Sequence, residues 1–263
     1  MKVKTIELKG NKGILKIEDT DVSFVNSLRR VMLAELPKLA IDDVIIYDNT
    51  SALFDEMISH RLGLIPIPTD LQILAFRNEC KCGGKGCPSC TVRYTLSKEG
   101  ECVIYSGDLQ PEHPSFAITE TSIPIVELTK DQRVILEVEA VLGRGRDHAK
   151  WQVVLAPRYR TETVFTLDKK RMNDVKAFIE ELPKNLVELK GDKLEVKDIS
   201  KISMLETFIE KNKEDYITVT KDPTKLTFSF ETDGSMSAKV ALQESVNILS
   251  KKYEELRNLL KDL

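Results

Sequence analysis

The sequence has few of the residues that membrane spans and hydrolytic sites require. No apolar run approaches the roughly 18 residues needed for a helix to cross a bilayer. Only three histidines and one tryptophan occur among the 263 residues. No Ser-His-Asp set, phosphate-binding glycine loop or pair of catalytic carboxylates can be assembled from the sequence. We therefore predict no catalytic residues and no cofactor-binding residues in this chain.

An excess of positive charge is also missing. The chain has 39 Lys and Arg against 42 Asp and Glu, a net charge of −3. Nucleic-acid-binding domains usually carry a basic face, so we expect no direct contact with nucleic acid. The first residues, MKVKTIE, alternate and include an early acid, which predicts a strand rather than a signal peptide. With clustered thiols and no export signal, a cytoplasmic protein is expected.

Cysteine is rare except in one segment, CKCGGKGCPSC, which holds four of the five cysteines: Cys80, Cys82, Cys87 and Cys90. The glycines between them permit the left-handed backbone angles with which a loop wraps a metal centre. Two cysteine pairs at short spacing are typical of a closed, tetrahedral Zn–S₄ site. We predict structural zinc, with iron, a disulfide and free thiols as the alternatives.

A catalytic metal does not fit this segment. Zinc deaminases share a Cys-x-x-Cys element but also need an upstream His-x-Glu, whereas His60 is followed by Arg61 and Leu62. Four cysteine ligands also leave no open coordination position. The segment is interpreted as a structural element of the fold.

Apolar periodicity predicts a mixed α+β chain. A hairpin of residues 3–8 and 13–17 precedes a helix that Asp21 or Ser23 caps and Pro37 ends. A second helix runs from about residue 53 into Gly63. Strands then dominate the middle of the chain, at residues 41–47, 92–96, 102–106, 134–142 and 151–156.

From about residue 163 the pattern changes to a β-α-β-β-α-β rhythm of about 60 residues, which predicts a ferredoxin-like unit. Its two helices are expected at residues 169–182 and 202–212. Its strands are expected at 186–190, 194–196 and 217–219, and a separate strand at 226–231. The unit contains no cysteine.

The final helix, from about residue 237, carries an apolar residue at alternating spacings of four and three. The series is Leu242, Val246, Leu249, Tyr253, Leu256, Leu260 and Leu263. Such an a/d series over three heptads predicts a seam for a partner helix. The alternative is that the helix packs on the sheet of its own chain.

Three segments and this helix, in the same order, resemble the α-like family of DNA-directed RNA polymerase subunits, specifically its archaeal D branch, the counterpart of the third-largest eukaryotic subunit. Residues 21–37 (DVSFVNSLRRVMLAELP) resemble the helix that opens the family's dimerisation domain. Residues 53–66 (LFDEMISHRLGLIP) and 147–151 (DHAKW) are similar to segments of the archaeal and eukaryotic members.

The resemblance implies a discontinuous α+β architecture. Residues 1–42 and 224–263 are expected to form the α-like dimerisation domain. Residues 43–160 are expected to form an inserted, mostly-β domain with the metal loop. Residues 161–223 are expected to form a ferredoxin-like insertion. Many archaeal members bind an iron–sulfur cluster through cysteines in this insertion; because this chain has none there, no cluster is expected.

The resemblance also implies partners. Members of this branch pair with the smaller subunit L as a heterodimer, bind the small subunits N and P, and give the large subunit called B a docking surface. The reaction, nucleotidyl transfer in transcription, takes place in the largest subunit. The interface with L is expected at Leu28, Met32, Leu242, Val246, Leu249, Tyr253, Leu256 and Leu260. Contacts with other subunits are expected at His148, Lys150 and Trp151. The competing hypothesis is a stand-alone, zinc-dependent nucleic-acid-binding module.

Overall fold

The structure, a computed structural model, describes residues 1–183, 186–191, 193–196, 201–212 and 216–261. Leu263, the last residue of the expected seam, lies outside this range. The chain divides into two compact units. The first comprises Met1–Lys4, Lys16–Val25 and Tyr159–Thr227, and the second comprises Thr5–Leu15, Asn26–Arg158 and Phe228–Leu263.

Strands and helices alternate irregularly along the chain, so the predicted α+β class is confirmed. The strands are β1 (Lys2–Lys9), β2 (Lys12–Glu18), β3 (Pro37–Asn49), β4 (Thr91–Glu99), β5 (Cys102–Tyr105), β6 (Gln110–Pro111), β7 (Pro124–Leu128), β8 (Arg133–Arg144), β9 (Val154–Leu167), β10 (Val187–Lys190), β11 (Lys193–Val196) and β12 (Ile217–Thr232). The helices are α1 (Val22–Ala34), α2 (Asp55–Gly63), α3 (Met172–Glu181), α4 (Ile202–Asn212) and α5 (Ala238–Leu259).

The strands form three sheets. A six-stranded sheet has the order β1-β2-β12-β9-β11-β10, a four-stranded sheet has the order β3-β8-β4-β6, and β5 pairs with β7. The pairings of β3 with β8, and of β8 with β4, are antiparallel. Strand β8 is therefore held on both edges.

The core of the second unit lies on this four-stranded sheet. Alternate residues of β8, including Leu136 and Val138, are buried and pack with Tyr94 of β4 and with Ile58 and Leu62 of α2. Burying side chains of this size contributes about 1.5–3 kcal/mol each. The cysteine-containing segment leads directly into β4, and its last cysteine, Cys90, is fully buried.

The first unit contains the chain order β9-α3-β10-β11-α4-β12, and its strands lie in the order β12-β9-β11-β10. Strand β11 is antiparallel to both β9 and β10. A separate core gathers Phe165, Val175, Phe178 and Leu205. The predicted bounds of the second helix, 202–212, are confirmed.

The structure differs in detail from the elements predicted from the sequence. The strands predicted at 217–219 and 226–231 are one continuous strand, β12. Trp151 lies in a short 3₁₀ turn, Ala149–Trp151, and not in a strand. The helix α1 ends at Ala34, and Pro37 begins β3. Of the two candidate caps, Asp21 is the acceptor, since its Oδ1 lies 2.8 Å from the N–H nitrogen of Phe24.

Candidate metal centre and interface helix

The four clustered cysteines lie on a loop of turns immediately before β4. The N–H of Gly83 donates to the carbonyl of Cys80 at 3.0 Å, and the N–H of Cys90 donates to the carbonyl of Cys87 at 2.9 Å. Gly83, Gly84 and Gly86 all have positive φ, between 67° and 82°. A side chain is strained at such angles, which explains why the segment between the two cysteine pairs is rich in glycine.

The turns bring the four sulfur atoms together. All four lie within 4.8 Å of one another. The Sγ of Cys80 is 3.5 Å from that of Cys87, and the Sγ of Cys90 is 3.7 Å from that of Cys82 and 3.9 Å from that of Cys87. A tetrahedron with Zn–S bonds of about 2.3 Å has edges of about 3.8 Å. The four sulfurs thus have the spacing and the chemistry of a tetrahedral thiolate metal site, and none is joined in a disulfide.

The thiols of Cys82 and Cys80 have shifted pKa values, in opposite directions. The backbone N–H of Cys87 lowers the pKa of the Cys82 thiol to about 5. The backbone N–H of Cys82 acts in the same direction on Cys80, but the thiols of Cys87, Cys82 and Cys90 outweigh it and raise the pKa of Cys80 to about 12. Four thiolates at this distance repel one another. A bound divalent cation would offset that repulsion and hold all four deprotonated.

A side chain and a backbone group outside the loop hold it in place. The Nε of Arg77 donates to the carbonyl of Gly84 at 3.2 Å, and its Nη2 lies 3.2 Å from Glu139 Oε2 on β8. The N–H of Ala75 donates to the carbonyl of Ser89 at 2.8 Å. Sequence reasoning missed Arg77 and Glu139, because neither belongs to a motif and their 62-residue separation gives no local pattern.

The helix α5 is buried on one side only, and only in its first half. Its buried residues are Ala238, Ala241, Ser245 and Leu249. All residues from 250 to 261 are exposed. The apolar residues among them are 52–68% exposed: Tyr253, Leu256, Leu259 and Leu260.

The expected interface residues therefore separate into two groups. Val246, Tyr253, Leu256 and Leu260 present apolar surface, and Leu242 is half-buried. Leu28, Met32 and Leu249 are at most 9% exposed and pack inside their own chain. Because residues of the second group are buried in their own chain, they can support such an interface only indirectly, by packing beneath it.

The 147–151 loop is tied to its own chain. The Nε1 of Trp151 donates to the carbonyl of Val141 at 3.1 Å, and the ammonium of Lys150 lies 4.4 Å from the centre of the Trp151 ring. Lys150 also pairs with Asp42. His148 is exposed and accepts the N–H of Lys150 at Nδ1. Contact of these three residues with another subunit stays a prediction; the buried Lys38, which donates to the carbonyl of Lys150 at 2.8 Å, was missed.

Known proteins are similar to this chain over most of its length. A family model described as the RNA polymerase Rpb3/Rpb11 dimerisation domain matches residues 15–253. The chain belongs to this family. The matched span begins in β2, ends in α5, and contains both the cysteine loop and the 147–151 loop.

Individual family members match over almost their full length. The chain is 34% identical to the DNA-directed RNA polymerase subunit Rpo3 of Picrophilus torridus, with 98% of each chain covered. It is 36% identical to the Thermoplasma volcanium Rpo3 over 96% of this chain and 97% of the relative. It is 35% identical to the Methanosphaera stadtmanae Rpo3 over 100% of this chain and 99% of the relative. Within the described residues, no helix has the length and apolar character of a membrane span.

Proposed function

We propose that the chain is an assembly subunit of DNA-directed RNA polymerase and that α5 is the helix with which it pairs with a smaller subunit. The family and the names of its members support this role. The observation that carries the pairing is the second half of α5. It keeps a helical conformation through residues 250–259 although none of them is buried in this chain.

The exposed stripe is suited to a helical partner. Val246, Tyr253, Leu256 and Leu260 follow one another at spacings of seven, three and four residues, which places them on one face of the helix. Burying one leucine of such a stripe contributes about 1.5–3 kcal/mol. Leaving the whole stripe in water is unfavourable, so the free chain has a strong tendency to associate.

The expected partner is subunit L of an archaeal polymerase, in a heterodimer that also binds the small subunits N and P and the large subunit called B. Nucleotidyl transfer would take place in the largest subunit, and this chain would be non-catalytic. We place it in the cytoplasm with the rest of the enzyme. The net charge of −3 is consistent with protein partners rather than with direct contact with nucleic acid.

We also propose the domain division 1–42 and 224–263, 43–160, and 161–223. The order β12-β9-β11-β10 of a β-α-β-β-α-β unit supports a ferredoxin-like insertion. Because no cysteine follows Cys102, this insertion offers no thiolate ligand for a cluster.

The cysteine loop is proposed to bind one structural zinc ion through Cys80, Cys82, Cys87 and Cys90. Four thiolates at tetrahedral spacing are the ligand set that zinc favours in closed sites. The ion would supply no reaction chemistry and would hold the loop against β4.

The pairing is tested by co-expression of the chain with the smaller subunit and by size measurement of the product. Leu256→Asp should abolish the heterodimer, since it places an unpaired charge in the interface, at a cost of about 3 kcal/mol or more, equivalent to at least about a 100-fold loss of affinity. The matched control is Asn258→Asp, an exposed position of α5 on the opposite side of the helix from the apolar stripe.

A stable, monodisperse wild-type monomer that ignores the smaller subunit would contradict the proposal. So would a Leu256→Asp chain that pairs as well as Asn258→Asp does. Salt-sensitive DNA binding by the isolated chain would instead favour the nucleic-acid-binding hypothesis.

A further inference from the structure

Arg77 joins the cysteine loop to two strands of the four-stranded sheet. Its Nε donates to the carbonyl of Gly84 inside the loop at 3.2 Å. Its Nη2 lies 3.2 Å from Glu139 Oε2 on β8, and its Nη1 lies 3.5 Å from Asp43 Oδ2 on β3. One guanidinium therefore uses three nitrogens on three separate chain segments, as its planar fork allows.

The sheet end of this connection is fixed. Asp43 and Glu139 are directly opposite in the β3–β8 pairing. The side chain of Glu139 is 15% exposed, and its other oxygen, Oε1, accepts two hydrogen bonds from Arg93, at 3.0 and 2.9 Å. Because both carboxylate oxygens are engaged, Glu139 offers Arg77 an anchor of defined position.

The loop end lies at the connection between the two cysteine pairs. Gly84 and Gly86 are within the four-residue segment that separates Cys82 from Cys87. A Cβ atom at Gly86 would lie 3.0 Å from the Nη2 of Arg77, so the guanidinium packs closely on this backbone. The position of this segment determines how the first cysteine pair faces the second.

We propose that Arg77 is a positioning residue for the metal site, which sets the two cysteine pairs at tetrahedral spacing by holding the glycine segment against Glu139 and Asp43. It does not contact the metal. The inference rests on the proposed zinc site. Outer contacts of this kind typically change metal affinity by about 10- to 100-fold when they are removed.

The test uses the full chain and measures zinc release to a chromogenic chelator. Arg77→Met keeps most of the side-chain stem but removes every hydrogen bond. It should accelerate zinc release by on the order of tenfold and alter the visible absorption spectrum of Co²⁺ bound in place of zinc. The matched control is Arg133→Met, which removes an arginine of β8 that pairs with Asp48 of β3 and not with the loop.

Glu139→Gln provides a second variant in case Arg77→Met does not fold. It keeps Arg77 but weakens its anchor, so zinc release should accelerate in the same direction by a smaller factor. Wild-type-like release and Co²⁺ spectra in both variants, or equal acceleration in Arg133→Met, would overturn the role of Arg77. A wild-type chain that binds no zinc would overturn the metal site itself, which is a different result.

Discussion

At the residue scale, the ring of Trp151 packs on the backbone at Gly143. A Cβ atom added at Gly143 would lie 2.2 Å from Cδ2 of the ring, a distance that no side chain tolerates. The ring cannot move freely, because its Nε1 donates to the carbonyl of Val141. Glycine at 143 is thus required by close approach and not by a turn.

Gly143→Ala should therefore displace the ring and lower the free energy of unfolding by about 1–3 kcal/mol, the usual cost of overpacking. Trp151 is the only tryptophan, so its fluorescence reports the displacement directly, and denaturant unfolding gives the stability. Gly63→Ala is the control, since its Cβ would meet only ordinary contacts at 3.6 and 3.7 Å. Unchanged emission in Gly143→Ala would contradict this account.

The four cysteines and the 147–151 loop show how much of a site can be predicted from the sequence. The four cysteines were predictable because their spacing alone brings the thiols together. For Lys150 and Trp151 the sequence shows a cation beside an aromatic ring, but it cannot show that Asp42 and Val141 are their partners. Such partners lie about 100 and 10 residues away, and pairing over those distances is decided by the sheet register.

At the element scale, β12 shows why strand ends were hard to predict. Pro223 and its charged neighbours interrupt the apolar alternation, which predicts a break. In the structure, Oδ1 of Asp222 accepts the N–H of Thr224 at 3.0 Å and its hydroxyl at 2.6 Å. These local side-chain bonds fix the backbone around Pro223, and the strand continues from Ile217 to Thr232.

In α5 the heptad pattern is present, but the stripe that packs in the chain is a different one. Ala238, Ala241 and Ser245 are buried, and small residues of this kind are inconspicuous in an apolar pattern. The large residues that form the predicted seam remain mostly exposed. A sequence shows which face is apolar, and only the fold shows which face is already used.

The cysteine loop is an element whose order should depend on metal. A metal bound by the four thiolates would be its main cross-link, whereas the adjacent sheet has its own core of residues such as Leu136, Val138 and Tyr94. Removal of the metal by a chelator should speed amide hydrogen exchange at about residues 77–90 and leave β3 and β8 protected.

Hydrogen exchange followed by mass spectrometry measures this segment by segment, and readdition of Zn²⁺ should restore the protection. Loss of protection across β3 and β8 as well would mean that the metal holds the whole sheet. No change at 77–90 would mean that the metal does not order the loop.

At the scale of the whole molecule, two of the buried clusters in the described part of the chain share no member. One lies on the four-stranded sheet, and the other gathers residues of α3, α4 and the strands of the first unit. The exposed stripe of α5 and the cysteine loop both belong to the second unit. Damage confined to the first unit's core should therefore leave both the pairing and the metal intact.

Phe178→Ala tests this separation. Phe178 is 2% exposed in the core of the first unit, and its truncation should cost about 3–5 kcal/mol. We expect faster hydrogen exchange in α3, β10 and β11, with unchanged zinc content and unchanged heterodimer formation under native conditions. Phe54→Ala, at a position 75% exposed, removes the same atoms from the surface and should change stability little. If Phe178→Ala released the zinc or abolished pairing, the two cores would be one cooperative unit, and the interface helix would depend on the whole chain.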